Sequence, residues 1–141
     1  MASLLYNSFR KKIMDGSIDL DTDTIKLALL TSSYTPDQDA HDFFDDITNE
    51  VGASGTYSAG GATLANKTVT QDNTDDEGVF DADDVSFTGA TITARYAVIY
   101  KSTGTASTSP LICLIDFGSN QTSTAGTFTI TFAAEGIINL N

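Results

Sequence analysis

The chain has 141 residues, a length that fits one domain with a core of its own. Nineteen acidic residues stand against seven basic ones, a net charge of −12. This excludes nucleic acid or an anionic membrane as the main partner, because both are bound chiefly through Lys and Arg. Cys113 and His41 are the only residues of their types, so there is no intrachain disulfide, no cysteine-rich zinc site and little for a catalytic triad.

Met1–Tyr6 is briefly apolar, but Arg10, Lys11 and Lys12 follow these residues where a secretory signal would place them in front. No stretch approaches the roughly 18–20 apolar residues of a membrane span. The expectation is a chain made in a reducing cytoplasm, where the sequons at Asn66 and Asn120 are idle. Leu4, Leu5, Phe9, Ile13 and Met14 recur at helical spacing and predict a helix over 3–15, with Ser3 as N-cap and Gly16 as stop. Its late basic residues suit the negative end of the helix dipole. They also offer a contact to an acidic partner, such as a neighbouring copy of this chain.

Ile25–Thr31 reads as a buried strand, followed by a Ser32–Asp39 loop in which Pro36 forbids a clean ladder. Asp42–Glu50 is expected to form a second short helix burying Phe43, Phe44 and Ile47. Gly52–Gly61, with Tyr57 as its one large side chain, reads as a long ordered loop placed to close over a neighbour.

From Ala62 onward the apolar period becomes two. Thr68–Thr70 is expected to carry Val69 inward. Val79–Thr88 alternates with a phase slip at Asp83–Asp84, for which a bulge is the simplest cause. Thr91–Lys101 is the clearest strand, with Ile92, Ala94, Tyr96, Val98 and Tyr100 on one face. Leu111–Phe117 is apolar on both faces and predicts a central strand. Thr127–Phe132 alternates strictly, and Ile137–Leu140 is expected to close the sheet. Helices are expected only before residue 51.

These strands predict a mainly β fold: an antiparallel β-sandwich or jelly-roll-like barrel with a short N-terminal helix and a second short helix. One domain spans 1–141, divided into an N-terminal helical arm (1–18), a strand, loop and short helix (19–61) and a β-sandwich core (62–141).

Asp19, Asp21 and Asp23 form an Asp-x-Asp-x-Asp run that invites a calcium reading. An EF-hand loop counted from Asp19 needs a glycine at position 24 and a glutamate at position 30, where Thr24 and Leu30 stand, so a solvated turn is expected. Asp72, Asp75, Asp76 and Glu77, then Asp81, Asp83 and Asp84, read as a polar hairpin whose carboxylates discourage edge pairing; the functional alternative is a patch for a basic partner or a weak divalent-ion site between subunits. His41 among Asp37, Asp39, Asp42, Asp45 and Asp46 suggests a local ion pair. Cys113, inside an apolar strand, reads as a small hydrophobe and not a nucleophile. No catalytic residue, cofactor site or metal site is assigned.

Two blocks carry a resemblance. The first runs Asp23-Thr-Ile-Lys-Leu-Ala-Leu-Leu-Thr-Ser-Ser-Tyr-Thr-Pro, His41-Asp-Phe-Phe-Asp-Asp-Ile, Asn49-Glu-Val and Gly60-Gly-Ala-Thr-Leu-Ala. The second runs Phe80-Asp-Ala-Asp-Asp-Val-Ser-Phe, Ile92-Thr-Ala-Arg-Tyr-Ala-Val-Ile-Tyr and Leu114-Ile-Asp-Phe-Gly. In this order, over roughly residues 20–135, the chain resembles small virion structural proteins of tailed bacteriophages. The resemblance implies a non-enzymatic virion protein, best fitted to an auxiliary capsid (cement or decoration) protein. Such a protein is a homo-oligomer bound to the major capsid protein on the outside of the head. A tail, neck or baseplate component and a host-receptor-binding module are the alternatives. From exposure arguments, the expected partner contacts are Phe9, Arg10, Lys11 and Lys12 on the helix, Tyr34 and Pro36 in the next loop, and Tyr57.

Overall fold

A computed structural model describes residues 1–141. The chain is mainly β, with two open antiparallel sheets and one helix. In chain order the elements are β1 (Leu4–Leu5), α1 (Asn7–Met14), β2 (Ile25–Leu30), β3 (Ala62–Thr63), β4 (Thr68–Asp72), β5 (Glu77–Asp81), β6 (Val85–Lys101), β7 (Leu111–Ile130) and β8 (Ile138–Leu140). The larger sheet has the order β1-β7-β6-β2-β3 and the smaller β4-β5-β8. Neither sheet closes on itself. No helix is long and apolar enough to cross a membrane.

The long β6–β7 ribbon is the frame. Its base, where Tyr96–Tyr100 face Leu111–Asp116, is buried on both faces, as the continuous apolar runs Ala97–Ile99 and Leu111–Ile115 require. Beyond the base, Phe87, Ala90, Ile92 and Ala94 turn inward while Ser86, Thr88, Thr91 and Thr93 face solvent. β2 pairs with the base of β6 from Ile25↔Lys101 to Leu30↔Tyr96. One core of 33 buried apolar residues joins both sheets and α1.

Several expectations are corrected. The helix begins at Asn7, not at Ser3. Leu4 and Leu5 form a strand opposite Leu114 and Cys113, and the Ser3 hydroxyl accepts a bond from Asp116 N–H, 2.9 Å, instead of capping a helix. Their helical spacing is a coincidence that β7, far away in sequence, overrides. The helix expected over Asp42–Glu50 is one 3₁₀ turn, Phe44–Asp46, because the Asp46 carboxylate takes the Asp42 and Phe43 N–H groups and the chain then extends into a bridge with Leu30. A second such turn, Ala106–Thr108, lies beyond residue 51. The slip at Asp83–Asp84 is no bulge: β5 ends at Asp81, and the chain passes from the small sheet to the large one. There Asp83 N–H reaches Ala65 C=O and the Asp84 carboxylate holds Phe132 N–H. Val69 is 53 % exposed, because β4 is the outer strand of the small sheet. β8 completes that small sheet and not the large one.

Candidate functional site

The expected contact residues separate into a surface set and a core set. Tyr6 and Phe9, on either side of the start of α1, are fully buried and anchor the helix to the core. The Tyr6 hydroxyl meets the Tyr34 hydroxyl at 3.1 Å, and Tyr34 meets His41 Nδ1 at 2.8 Å. This buried chain ties the helix to the 34–41 loop. Asn7 N–H reaches Gln38 C=O, Gln38 Nε2 reaches Leu5 C=O, and Asn7 Nδ2 reaches Asp39 Oδ1. Burial pushes the Tyr6 and Tyr34 hydroxyls above their ordinary range, so both stay protonated. The bond that His41 makes is therefore to a tyrosine, not the ion pair expected from its acidic neighbours.

Phe9, Tyr34 and Tyr57 are thus corrected as exposed contacts. All three are core residues, at 0 %, 2 % and 1 % exposure. Arg10 and Lys11 do face solvent, while Lys12 and Pro36 are half-buried. Arg10 Nη1 donates to Asn7 Oδ1 at 3.0 Å, and Lys11 lies 3.4 Å from Asp15 in an exposed pair. Lys12 Nζ sits 4.8 Å from the centre of the Phe43 ring. The three cations and the Pro36–Asp39 segment belong to one region of the surface.

Tyr57 is the keystone of the 52–61 segment. The outer edge of β2 is closed by β3 opposite Lys26 and Leu27, by Val51 N–H on Leu29 C=O, and by Thr31 N–H on Asn49 C=O. At the remaining gap Leu29 N–H donates to the Tyr57 hydroxyl at 2.9 Å. That hydroxyl donates onward to Glu50 Oε1 at 2.8 Å, which also accepts Gly60 N–H at 2.6 Å. The Tyr57 ring packs edge-on against Phe87, 4.8 Å between centres. Gly61 has φ +76° and lies so close to β2 that a Cβ would stand 1.8 Å from Leu27 C=O. The segment therefore closes over its own sheet. A tyrosine hydroxyl standing in for a strand residue has no signature in sequence.

The acidic runs act mostly on the backbone. Asp19 Oδ1 takes the Asp21 and Thr22 N–H groups, while Asp23 Oδ2 takes Asp19 N–H and pairs with Lys101 at 2.9 Å. The Asp-x-Asp-x-Asp run is thus a capped turn. Asp72, Asp75 and Glu77 each bring a carboxylate oxygen within 4.8 Å of the others at the β4–β5 turn. Asp72 caps Thr74 and Asp75 N–H there, and these bonds hold its carboxyl below the ordinary range. The Cys113 thiol is enclosed in the sheet and pushed up to about 12 by burial, so it stays protonated.

One surface escaped the sequence reading. Residues 85–94 and 117–130, which make the outer part of the ribbon, contain no charged side chain in a chain of net charge −12. The signal was there to be counted, but only the β6–β7 pairing shows that the two neutral runs lie side by side. Comparison with protein-family models, with curated protein sequences and with solved structures finds no match.

Proposed function

We propose that the chain is a structural protein of a tailed-phage virion, and within the virion an auxiliary capsid protein that clamps the assembled head. The observation that carries this is the exposed basic end of α1. Arg10 and Lys11 stand on a helix locked to the core by Phe9 and Tyr6, and much of the remaining surface is acidic. A rigid body presenting a local charge of opposite sign is suited to docking on another protein in one orientation. We read the two open sheets around a shared core as a β-sandwich. A clamp that binds only the assembled lattice stabilises that lattice by linkage, with no chemistry required. The strong negative charge favours solubility before assembly and keeps the protein away from packaged DNA.

The test is the copy number per purified virion, by quantitative mass spectrometry against the major capsid protein. A number comparable to the capsid protein supports the head assignment. A small ring-like number moves the protein to the tail or neck, and absence from the particle rejects the structural role. The triple variant Arg10→Glu, Lys11→Glu, Lys12→Glu is expected to lose incorporation several-fold while melting within a few degrees of the parent. Normal incorporation of that variant rejects the basic contact.

A further inference from the structure

The two edges of the β6–β7 ribbon are treated differently. The β6 edge beyond β2 is covered by the 54–57 turn: Thr56 N–H reaches Thr88 C=O at 3.0 Å, Thr88 N–H reaches Thr56 Oγ1 at 2.8 Å, and Thr91 N–H reaches Ser54 Oγ at 2.9 Å. The β7 edge is covered only at its start. β1 pairs with Cys113 and Leu114, Ser3 Oγ takes Asp116 N–H, and no strand follows. An edge of this kind is a template for another strand unless charge or irregularity blunts it. Charge does not, because residues 117–134 carry none. Irregularity does so in part. Arg95 alone faces residues 117–120, and Thr91 alone faces 124 and 125, which leaves Gln121–Ser123 and Phe128–Ile130 as the regular runs.

A groove of about 500 Å³ borders this edge. Ile115, Phe117, Phe128 and Ile130 contribute its apolar lining, and Met1, Gln121 and Thr122 also border it. Its one charged side chain, Asp116, is held by Arg95 at 2.5 Å. A groove with apolar lining beside a free strand edge has the parts of a strand-addition site.

Charge decides the occupant. Two copies of a −12 chain repel wherever carboxylate meets carboxylate, and this neutral ribbon is where they can approach. A twofold contact also brings each group against its own counterpart. Hydroxyls and backbone edges satisfy that condition, because each both donates and accepts hydrogen bonds. We infer that two copies associate about a twofold axis through the outer edge of β7, with the Gln121–Ser123 runs antiparallel and the groove beside Met1 and Phe117 covered. The inference goes beyond the proposed virion role and stands on separate observations.

Sedimentation of the full chain over a wide concentration range tests it. The expected result is a reversible dimer that the double variant Thr122→Glu, Thr129→Glu converts to monomer, with the melting curve of the parent at dilutions where the parent is itself monomeric. Single cysteines at 121, 122 and 123 provide a second readout, since Cys113 is buried and unreactive. At least one is expected to form an interchain disulfide under mild oxidation, whereas Thr74→Cys, at the β4–β5 turn, forms none. A parent chain that stays monomeric throughout, a double Glu variant that still dimerises, or cross-linking as efficient at position 74 overturns the inference. A monomeric parent leaves the virion role untouched. Absence from particles rejects that role and leaves the dimer standing.

Discussion

Replacing Tyr57 by Phe removes one oxygen atom and isolates the role of a hydroxyl that stands where a strand would be. Leu29 is fully buried, and its N–H has the Tyr57 hydroxyl as its partner at 2.9 Å. Without the hydroxyl that N–H is left unpaired, which costs about 1–3 kcal/mol. The bond to Glu50 is lost too, but Glu50 keeps Gly60 N–H and is half-exposed, so this adds about 0.5 kcal/mol. The ring keeps its packing against Phe87, so no cavity forms. The sum is about 1.5–3.5 kcal/mol. With about 2.1 cal/mol/K of unfolding entropy per residue, a chain of 141 residues shifts by a little over about 3 °C per kcal/mol, so Tm should fall by about 5–12 °C. Thermal melts followed by circular dichroism, together with urea titrations showing an unchanged slope, make the measurement. A fall of less than about 2 °C refutes the reasoning, since it means that the Leu29 amide is satisfied without the tyrosine.

Two further outcomes are expected. Gly61→Ala should cost roughly 4 kcal/mol or more, because the new methyl meets Leu27 C=O at 1.8 Å at a φ of +76°. Gly104→Ala has a similar φ of +87° but open space around it, so it should cost only about 1–2 kcal/mol; equal urea midpoints for the two variants would remove the steric argument. The third prediction concerns acid. Backbone N–H groups hold the carboxyls of Asp37 and Asp46 below the ordinary range, and Arg95 does the same for Asp116. Folded values below unfolded ones mean stability that is complete above about pH 4 and is lost as pH falls through the folded values. Tm should therefore hold down to about pH 5 and drop below about pH 4, and a Tm still undiminished at about pH 3 contradicts this account.

How far the sequence could be read depended on whether the deciding partner was local. Thr91–Lys101 and Leu111–Phe117 were legible as strands because their apolar patterns reflect burial on one face or two. Leu4 and Leu5 were misread because helical spacing and a short strand look alike until Leu114 and Cys113 are placed beside them. Gly52–Gly61 reads as an ordered loop, but nothing local shows what orders it. Its fixity comes from the approach of Gly61 to β2 and from one hydroxyl, both set by the fold. The basic end of α1 was legible because exposed charge near a helix end needs no distant partner. Phe9, Tyr34 and Tyr57 read as surface contacts because nothing in their sequence neighbours shows that the core receives their rings, or that Tyr6, His41 and Leu29 N–H meet the two tyrosine hydroxyls.

The pairing of β2 with β6 also sets a timetable for synthesis. Ile25 and Leu30 meet Lys101 and Tyr96, partners 76 and 66 residues further along the chain. At a ribosomal pace of about 5–20 residues per second, the apolar strand Ile-Lys-Leu-Ala-Leu-Leu leaves the ribosome roughly 3–15 s before its partner exists. The ribbon, by contrast, pairs across the short 102–110 connection and can zip as soon as it emerges. Assembly thus proceeds backwards along the chain, the last-made strands forming the template onto which the first-made ones fold. In that interval β2 has no sheet to join, which makes it the segment a chaperone would be expected to hold.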